Sequence, residues 1–130
     1  MEINKLCDVV RETSFAIHTY HRHGHLEKIY ENALAHRLQK QGLKVAQQHP
    51  LAVFDEDGTE LGVYYADLFV EGRLIVELKA CKTTTDEHVA QLLGYLKSSR
   101  IHDGLLINFG APKLFVKKYV MGFDQVKEDN

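Results

Sequence analysis

The sequence predicts one mixed α/β (α+β) domain over residues 1–130, with its elements in the order α-α-β-β-β-α-β-β. Three observations lead to this fold class. Apolar residues recur every three to four positions in the first third of the chain, which is typical of amphipathic helices. Between residues 45 and 80 the period changes to two and glycine-containing turns interrupt it, which is typical of antiparallel strands. A helical pattern then precedes another short apolar run, as in a strand–helix–strand crossover.

Two helices are predicted to begin the chain. Leu6, Val10 and Ile17 share one face of the first helix, and Gly24 in the segment HRHGH is expected to end it. The second helix is expected over about residues 25–41, because an apolar stripe runs through it and Gly42 follows in the position that glycine favours after a helix. The helices therefore precede the sheet in the chain.

Three strands are predicted next, at residues 45–54, 60–70 and 73–80. Tight turns at Asp57-Gly58 and Glu71-Gly72 make the three strands antiparallel. Pro50 predicts that the first of them lies at a sheet edge or carries a bulge, since proline cannot donate to a central ladder.

The last third of the chain predicts a helix and two further strands. Thr84 or Thr85 is a suitable cap for the helix, with Glu87 or His88 in its first turn. The apolar runs at 102–110 and 114–121 are predicted strands, the second at the sheet edge, and the polar tail VKEDN (126–130) is expected to fray.

Composition narrows the class of protein. The chain has 45% hydrophobic and 26% charged residues and a net charge of −2, which argues against a protein that coats nucleic acid through charge alone. Cys7 and Cys81 form no CxxC pair, so no disulfide framework is implied. The N-terminus lacks the pattern of a signal peptide, and no apolar run approaches the roughly 18 residues of a membrane span. We therefore expect a cytoplasmic protein.

The segment RLIVELKA (73–80) places two charges in the most hydrophobic run of the chain. Glu77 and Lys79 are two residues apart, so on a strand they share one face, with Leu74, Val76 and Leu78 on the other. An ionised carboxylate in such a place needs a charged partner or a metal ion. The pair is either an ion pair at the sheet margin or part of a functional site.

Asp67 favours the functional interpretation. In the hairpin formed by the second and third strands it is expected near residues 74–76, where its carboxylate can approach that of Glu77. Two close carboxylates repel unless they share a cation. Mg²⁺ suits this arrangement because it is bound by one or two carboxylates and keeps several waters. Lys79 could then stabilise developing negative charge or orient a water nucleophile.

Glu27 is a further candidate because it lies within the apolar stripe of the second helix, projecting near Leu34. It is either a glutamate of the first turn that the helix dipole stabilises or a third acidic group of the same metal site. Gln91 and Tyr95 are four residues apart on the third helix. They form either an ordinary exposed face or a polar ridge that contacts substrate phosphates.

Two other groups of residues are weaker candidates for a functional site. Four histidines, His18, His21, His23 and His25, crowd the junction of the first two helices and could bind a transition metal. No cysteine or carboxylate completes a ligand set, so surface histidines are the favoured interpretation. Cys81 follows the third strand, but no motif supplies the histidine base that a thiolate nucleophile requires.

Asp67 followed by Glu77-x-Lys79 resembles the signature of the PD-(D/E)XK nuclease superfamily, with Ala66 in the place of the proline. The spacing of Gln91 and Tyr95 is similar to the QxxxY motif of the RecB-type branch. The segment GHLEKIYENAL (24–34) resembles the signature of the small bacterial GxxExxY proteins. Further segments resemble the blocks of that family in its order, over roughly residues 5–119: YYADLFV, IVELKA, AQLLGYLKSS and GLLINFG.

The resemblance implies a restriction-endonuclease-like core, with a mixed sheet flanked by helices. It implies that Asp67 and Glu77 hold Mg²⁺, with Mn²⁺ as a substitute, that Glu27 is the acidic residue contributed by a helix, and that Lys79 lies near the attacking water. Gln91 and Tyr95 would form the accessory pair. The implied activity is hydrolysis of phosphodiester bonds in DNA or RNA. A homodimer or a larger assembly is a further expectation. The alternative is a non-catalytic nucleic-acid-binding or protein-interaction module on the same fold.

Overall fold

The computed structural model describes residues 1–122, so the predicted frayed tail at 126–130 lies outside the described residues. The predicted element order is confirmed. The helices are α1 (Ile3–His21), α2 (Glu27–Lys40) and α3 (Asp86–Ser99). The strands are β1 (Val45–Phe54), β2 (Glu60–Val70), β3 (Leu74–Lys79), β4 (Asp103–Asn108) and β5 (Phe115–Val120).

The five strands form one mixed sheet in the order β1-β2-β3-β4-β5. The pairs β1–β2, β2–β3 and β4–β5 are antiparallel, and β3–β4 is parallel. The parallel pair requires a crossover, which α3 provides. β1 lies at a sheet edge, which is one of the two positions predicted from Pro50, and β5 lies at the other edge, as predicted.

Each face of the sheet packs against a separate helical layer. On β3, Leu74, Val76 and Leu78 join the larger core with residues of α1 and α2, whereas Ile75 joins Leu92 of α3 in the smaller core. This split follows from the alternation of side chains along a strand. The sheet is therefore the middle of three layers, and Glu77 lies in a strand that is covered on both faces.

Local interactions fix the ends of α3 and the path after β4. Thr85 is the N-cap of α3 and forms a capping box with His88, which were among the cap and first-turn residues predicted from the sequence. Gly110 allows close backbone packing, because a Cβ atom there would lie 2.2 Å from the backbone nitrogen of Cys81.

Within residues 1–122, no helix is both long and apolar enough to cross a membrane.

Candidate active site

Asp67 and Glu77 lie opposite each other where β2 and β3 part. The last paired residues of this ladder are Leu68 and Val76, so the two acidic residues lie one step beyond it. Their register differs by one residue from the expectation that Asp67 would lie across from residues 74–76, because the turn pairs Val70 with Leu74. The proximity of the two side chains is nevertheless the arrangement that the sequence predicts.

Hydrogen bonds from side chains to the backbone replace the ladder at this point. Asp67 Oδ2 accepts the backbone N–H of Leu78 at 2.8 Å. The backbone N–H of Asp67 donates to Glu77 Oε1 at 3.4 Å. Each acidic side chain is therefore fixed by the strand that carries the other, which holds both carboxylates at the point where the strands separate.

Glu77 is a buried carboxylate, with 8% of its surface exposed. Burial is the main cause that raises its pKa to about 7, against the lowering effects of the Asp67 N–H and the Lys79 charge. Within residues 1–122, Glu77 Oε2 accepts no hydrogen bond. One oxygen of this carboxylate is thus without a donor, in surroundings that disfavour its charge.

Asp67 is half-buried, and burial raises its pKa as well. Hydrogen bonds from the Leu78 N–H and from the Gln48 amide act in the opposite direction, because they stabilise the ionised form. The negative charge of Glu31 raises the pKa further. Two adjacent carboxyl groups are therefore harder to ionise than free ones.

Glu27 is the first residue of α2 and faces the same cluster. Its surface is exposed, yet neighbouring protein partly desolvates the carboxylate and raises its pKa, and the charge of Asp67 raises it further. The positive end of the helix dipole favours a negative charge in this first turn. The structure thus brings Glu27 within electrostatic range of the two strand carboxylates.

Lys79 remains unpaired at the site. Within the described residues the ion pairs are Lys28–Glu31 and Lys118–Asp103, so the predicted alternative of a Glu77–Lys79 ion pair at the sheet margin is not formed. Burial raises the pKa of Glu27, Asp67 and Glu77, and the Lys79 charge opposes that rise at all three. The ammonium group is therefore close to the cluster and free to bind another group.

Glu31 and Gln48 belong to the site and were missed from the sequence. Glu31 is only 3% exposed, and Gln48 Nε2 donates both to Glu31 Oε1 at 2.9 Å and to Asp67 Oδ1 at 3.1 Å. Lys28 and Gln47 donate to the other Glu31 oxygen. The available signal was the four-residue spacing of Glu27 and Glu31, which puts both on one flank of α2.

A backbone irregularity explains how Gln48 reaches α2. Gln48 has a φ of +49°, in the left-handed region, inside an otherwise extended strand. Side chains alternate along a regular strand, but both Gln47 and Gln48 here donate to residues of α2. The irregular residue thus brings a second amide to the acidic cluster.

Gln91 and Tyr95 pair with each other, on α3. Gln91 Nε2 donates to the Tyr95 hydroxyl at 3.0 Å, and the Tyr95 ring stacks on Tyr64 of β2 at a centroid distance of 3.5 Å. Tyr95 therefore packs on the sheet, so the pair is not an ordinary exposed helix face, which was one of the two expectations. Within residues 1–122 no hydrogen bond joins this pair to the carboxylates.

Tyr30 anchors the loop that precedes Glu27. Its ring is fully buried and stacks on Phe109, its hydroxyl donates to the Arg22 carbonyl at 2.6 Å, and the same oxygen accepts the His25 N–H at 3.1 Å. Gly24, between those two residues, has a φ of +118°. The Gly24, Glu27 and Tyr30 spacing therefore has a physical basis, since the glycine and the tyrosine shape the turn that starts α2 at Glu27.

The histidine-rich junction is not a ready metal centre. His18 Nε2 donates to the Ala111 carbonyl at 2.9 Å, and the rings of His21 and His25 make an edge contact. In the part of the chain that the structure describes, no group of three or more His, Cys, Asp or Glu is arranged to hold a metal ion. Cys81 Sγ donates to the Thr83 carbonyl at 3.2 Å. Within residues 1–122 their contacts thus support neither a transition-metal site nor a thiolate nucleophile.

Comparisons with known proteins give the family and the fold of the chain. A family model described as the PD-(D/E)XK nuclease superfamily matches residues 4–119. The crystal structure of SSO0001 is similar with a TM-score of 0.55 and 16% identity, over 77% of this chain and 52% of that one. An alkaline exonuclease (LHK-Exo) from Laribacter hongkongensis is similar with a TM-score of 0.50 and 13% identity, over 78% of this chain and 59% of that one.

At these identities the likeness shows the fold, and it confirms the predicted restriction-endonuclease-like core. The chain spans only 52% and 59% of the lengths of these two solved structures. No curated protein matches the chain.

Proposed function

Since this chain belongs to the PD-(D/E)XK nuclease superfamily, we propose that it is a metal-dependent nuclease that hydrolyses phosphodiester bonds of DNA, or of RNA. We propose Mg²⁺ as its cofactor, with Mn²⁺ as a substitute. The observation that carries the proposal is the convergence of Asp67 and Glu77 at the point where β2 and β3 part, with Glu27 and an unpaired Lys79 close by.

The chemistry of the cluster fits a hard divalent cation. Carboxylate oxygens are the ligands that Mg²⁺ prefers, and one or two carboxylates are enough because waters and substrate phosphates complete the shell. The absence of a three-residue cage in residues 1–122 is compatible with such an open site. Glu77 Oε2 has no donor among those residues, and a cation would offset the burial that raises the pKa of Glu77.

In this proposal Asp67 and Glu77 would hold the ion. Glu27, expected as a third acidic group of the metal site, would act through its charge at the start of α2, because no three such groups in residues 1–122 are arranged to hold one ion. A divalent ion supplies Lewis acidity toward a phosphate oxygen and lowers the pKa of water. Lys79 orients the attacking water or stabilises the developing negative charge, since its ammonium group has no ion-pair partner among residues 1–122. Gln48 keeps Asp67 oriented by its hydrogen bond to Oδ1.

The remaining assignments follow the resemblance. We propose that residues 1–130 are a single nuclease-like domain of the GxxExxY type in the RecB-type, QxxxY-bearing branch. The hydrogen-bonded Gln91–Tyr95 pair supports an accessory role at the substrate rather than ion binding. A cytoplasmic location and a homodimer or larger assembly stay predictions.

Two measurements test the proposal. Titration calorimetry with Mg²⁺ or Mn²⁺ should show binding to the wild type and its loss in Asp67→Asn and Glu77→Gln. Cleavage assays on single-stranded, duplex, branched and RNA substrates should show hydrolysis that requires the ion. Lys79→Gln should retain ion binding but lose cleavage, because the lysine acts on the reacting groups and does not hold the ion.

Glu60→Gln is a suitable control, because Glu60 is an exposed carboxylate at the far end of β2 from Asp67. It should bind the ion and cleave as the wild type does. Equal ion binding by wild type, Asp67→Asn and Glu77→Gln would contradict the assignment. Binding of nucleic acid without cleavage of any substrate would contradict the nuclease assignment and favour the non-catalytic binding module.

A further inference from the structure

A groove beside α2 is lined by basic and amide side chains and contains no carboxylate. Its volume is about 810 Å³, and we call it the α2 basic groove. It is formed by one residue from the end of α1 and by six from α2 and the residue after it: His21, Asn32, Ala33, His36, Arg37, Lys40 and Gln41.

The basic side chains of the groove lack counter-ions. Within residues 1–122, neither Arg37 nor Lys40 forms an ion pair, and neither makes a side-chain hydrogen bond. The His36 side chain likewise makes no hydrogen bond there, and the His21 side chain makes ring contacts with Tyr20 and His25 but no hydrogen bond. The chain has a net charge of −2, whereas the groove carries the charges of Arg37 and Lys40 and no carboxylate among its lining residues. Such a surface attracts anions.

The amides of the groove can also donate. Asn32 Oδ1 accepts a hydrogen bond from Gln47. The Asn32 amide nitrogen makes no side-chain hydrogen bond within residues 1–122, so it is available as a donor. Gln41 Nε2 donates to Thr13 Oγ1 and to the Arg37 carbonyl, which fixes the end of α2 against α1. The groove therefore combines charged groups with a neutral donor on a braced helix, which is the donor set that phosphate oxygens accept.

The groove is separate from the acidic cluster. At about 100° per residue, Glu31 and His36 are about 140° apart around the α2 axis. His36 thus lies on another flank of the helix from the carboxylates, as do Arg37 and Lys40, whereas Asn32, at the edge of the groove, shares the Gln47 amide with Glu31. From Asn32 to Lys40 the helix rises about 12 Å, the axial length of three to four phosphates of one nucleic-acid strand.

We propose that the α2 basic groove is an exosite for the phosphodiester backbone of nucleic acid and works without the divalent ion. Arg37 binds a phosphate through its guanidinium fork, and Lys40 binds a neighbouring phosphate as a point charge. This assignment rests on the proposed function only in taking nucleic acid as the polyanion. A nuclease with no exosite and an exosite on an inactive protein are both distinguishable results.

The test is fluorescence anisotropy of a labelled single-stranded oligonucleotide with the full chain in the presence of a chelator, over a series of salt concentrations. The variant Arg37→Gln/Lys40→Gln should bind more weakly. Its plot of log affinity against log salt should be shallower by about 1.4, because each contact to a single strand contributes about 0.7 to the slope. Gel analysis of the oligonucleotide after the titration verifies that it stayed intact.

The matched control is Lys5→Gln/Lys113→Gln, which removes two exposed cations without hydrogen bonds in the described residues. It should keep the wild-type affinity and slope. Equal losses in both double variants would mean unspecific attraction, and no loss in Arg37→Gln/Lys40→Gln would mean that the groove is not used. Inorganic tripolyphosphate that displaces the oligonucleotide at equal phosphate concentration would also overturn the proposal, in favour of a small-anion site.

Discussion

Substitution of Glu77 by glutamine should stabilise the metal-free protein at high pH and leave it unchanged at low pH. The variant keeps an oxygen that accepts the Asp67 N–H, but it removes the group that burial makes hard to ionise. The comparison of wild type and Glu77→Gln therefore isolates the cost of one buried negative charge, because the other titrating groups are common to both proteins.

The magnitude follows from the pKa. Burial raises the pKa of Glu77 from 4.5 to about 7 in the folded protein. Between these values the folded chain holds a proton that the unfolded chain has released, so the free energy of unfolding falls as the pH rises. A pKa difference of about 2.5 is worth about 3.5 kcal/mol at about 1.4 kcal/mol per pKa unit, and this is the expected gain of the variant above pH 7.

The assay is urea denaturation of both proteins in chelator, from about pH 5 to about pH 8, where carboxyl linkage of this kind is visible. The difference in unfolding free energy should grow across this window and level off above the folded pKa. Glu60→Gln should show no such trend. A difference that stays constant with pH would refute the reasoning, because Glu77 would then not be a carboxylate that burial perturbs. Saturating Mg²⁺ should stabilise the wild type but not the variant, since binding to the folded state alone adds stability.

Three further substitutions test the supporting structure. Gln48→Ala removes the amide between Glu31 and Asp67 and should weaken Mg²⁺ binding by about tenfold or more, measured by calorimetry, with the fold intact by circular dichroism. Tyr30→Phe keeps the stacked ring but removes two hydrogen bonds of the loop before α2, and urea denaturation should show a loss of about 1–3 kcal/mol. Gly110→Ala would force a Cβ into the backbone of Cys81, and the same assay should show a loss of about 1–3 kcal/mol; wild-type stability would contradict the close packing.

Most of the fold could be predicted from the sequence, because its local signals agree with each other. The bounds of β1 and β2 match the predicted runs, since a continuous alternation and a glycine turn define both strands. The ends of α2 and β3 fall one or two residues inside the predicted ranges, where a terminal residue has few local interactions to mark it. The pairing of β3 with β4 was predictable only through the helix between them.

The site was predictable where a charge interrupts an apolar pattern. Glu77 and Asp67 stand out in strands that otherwise alternate regularly. Glu31 and Gln48 did not, because a glutamate on a helix and a glutamine on an edge strand are ordinary surface residues by sequence. Their roles depend on the packing of α2 against β1 and on the left-handed backbone at Gln48. Tertiary contacts of this kind leave no periodic trace in the sequence.

The two flanks of α2 carry charges of opposite sign. This difference explains how a chain with net negative charge could act on a polyanion. On one flank, Glu27 and Glu31 add to the negative potential at Asp67 and Glu77, so a phosphate would be repelled until a cation is bound there. On the other flank, Arg37 and Lys40 lack counter-ions among the described residues and attract phosphates whether or not the cation is present. Association and hydrolysis would then depend on different surfaces. Ion removal should abolish cleavage but not binding, whereas loss of the two cations should weaken binding and leave the ion affinity of the carboxylates unchanged.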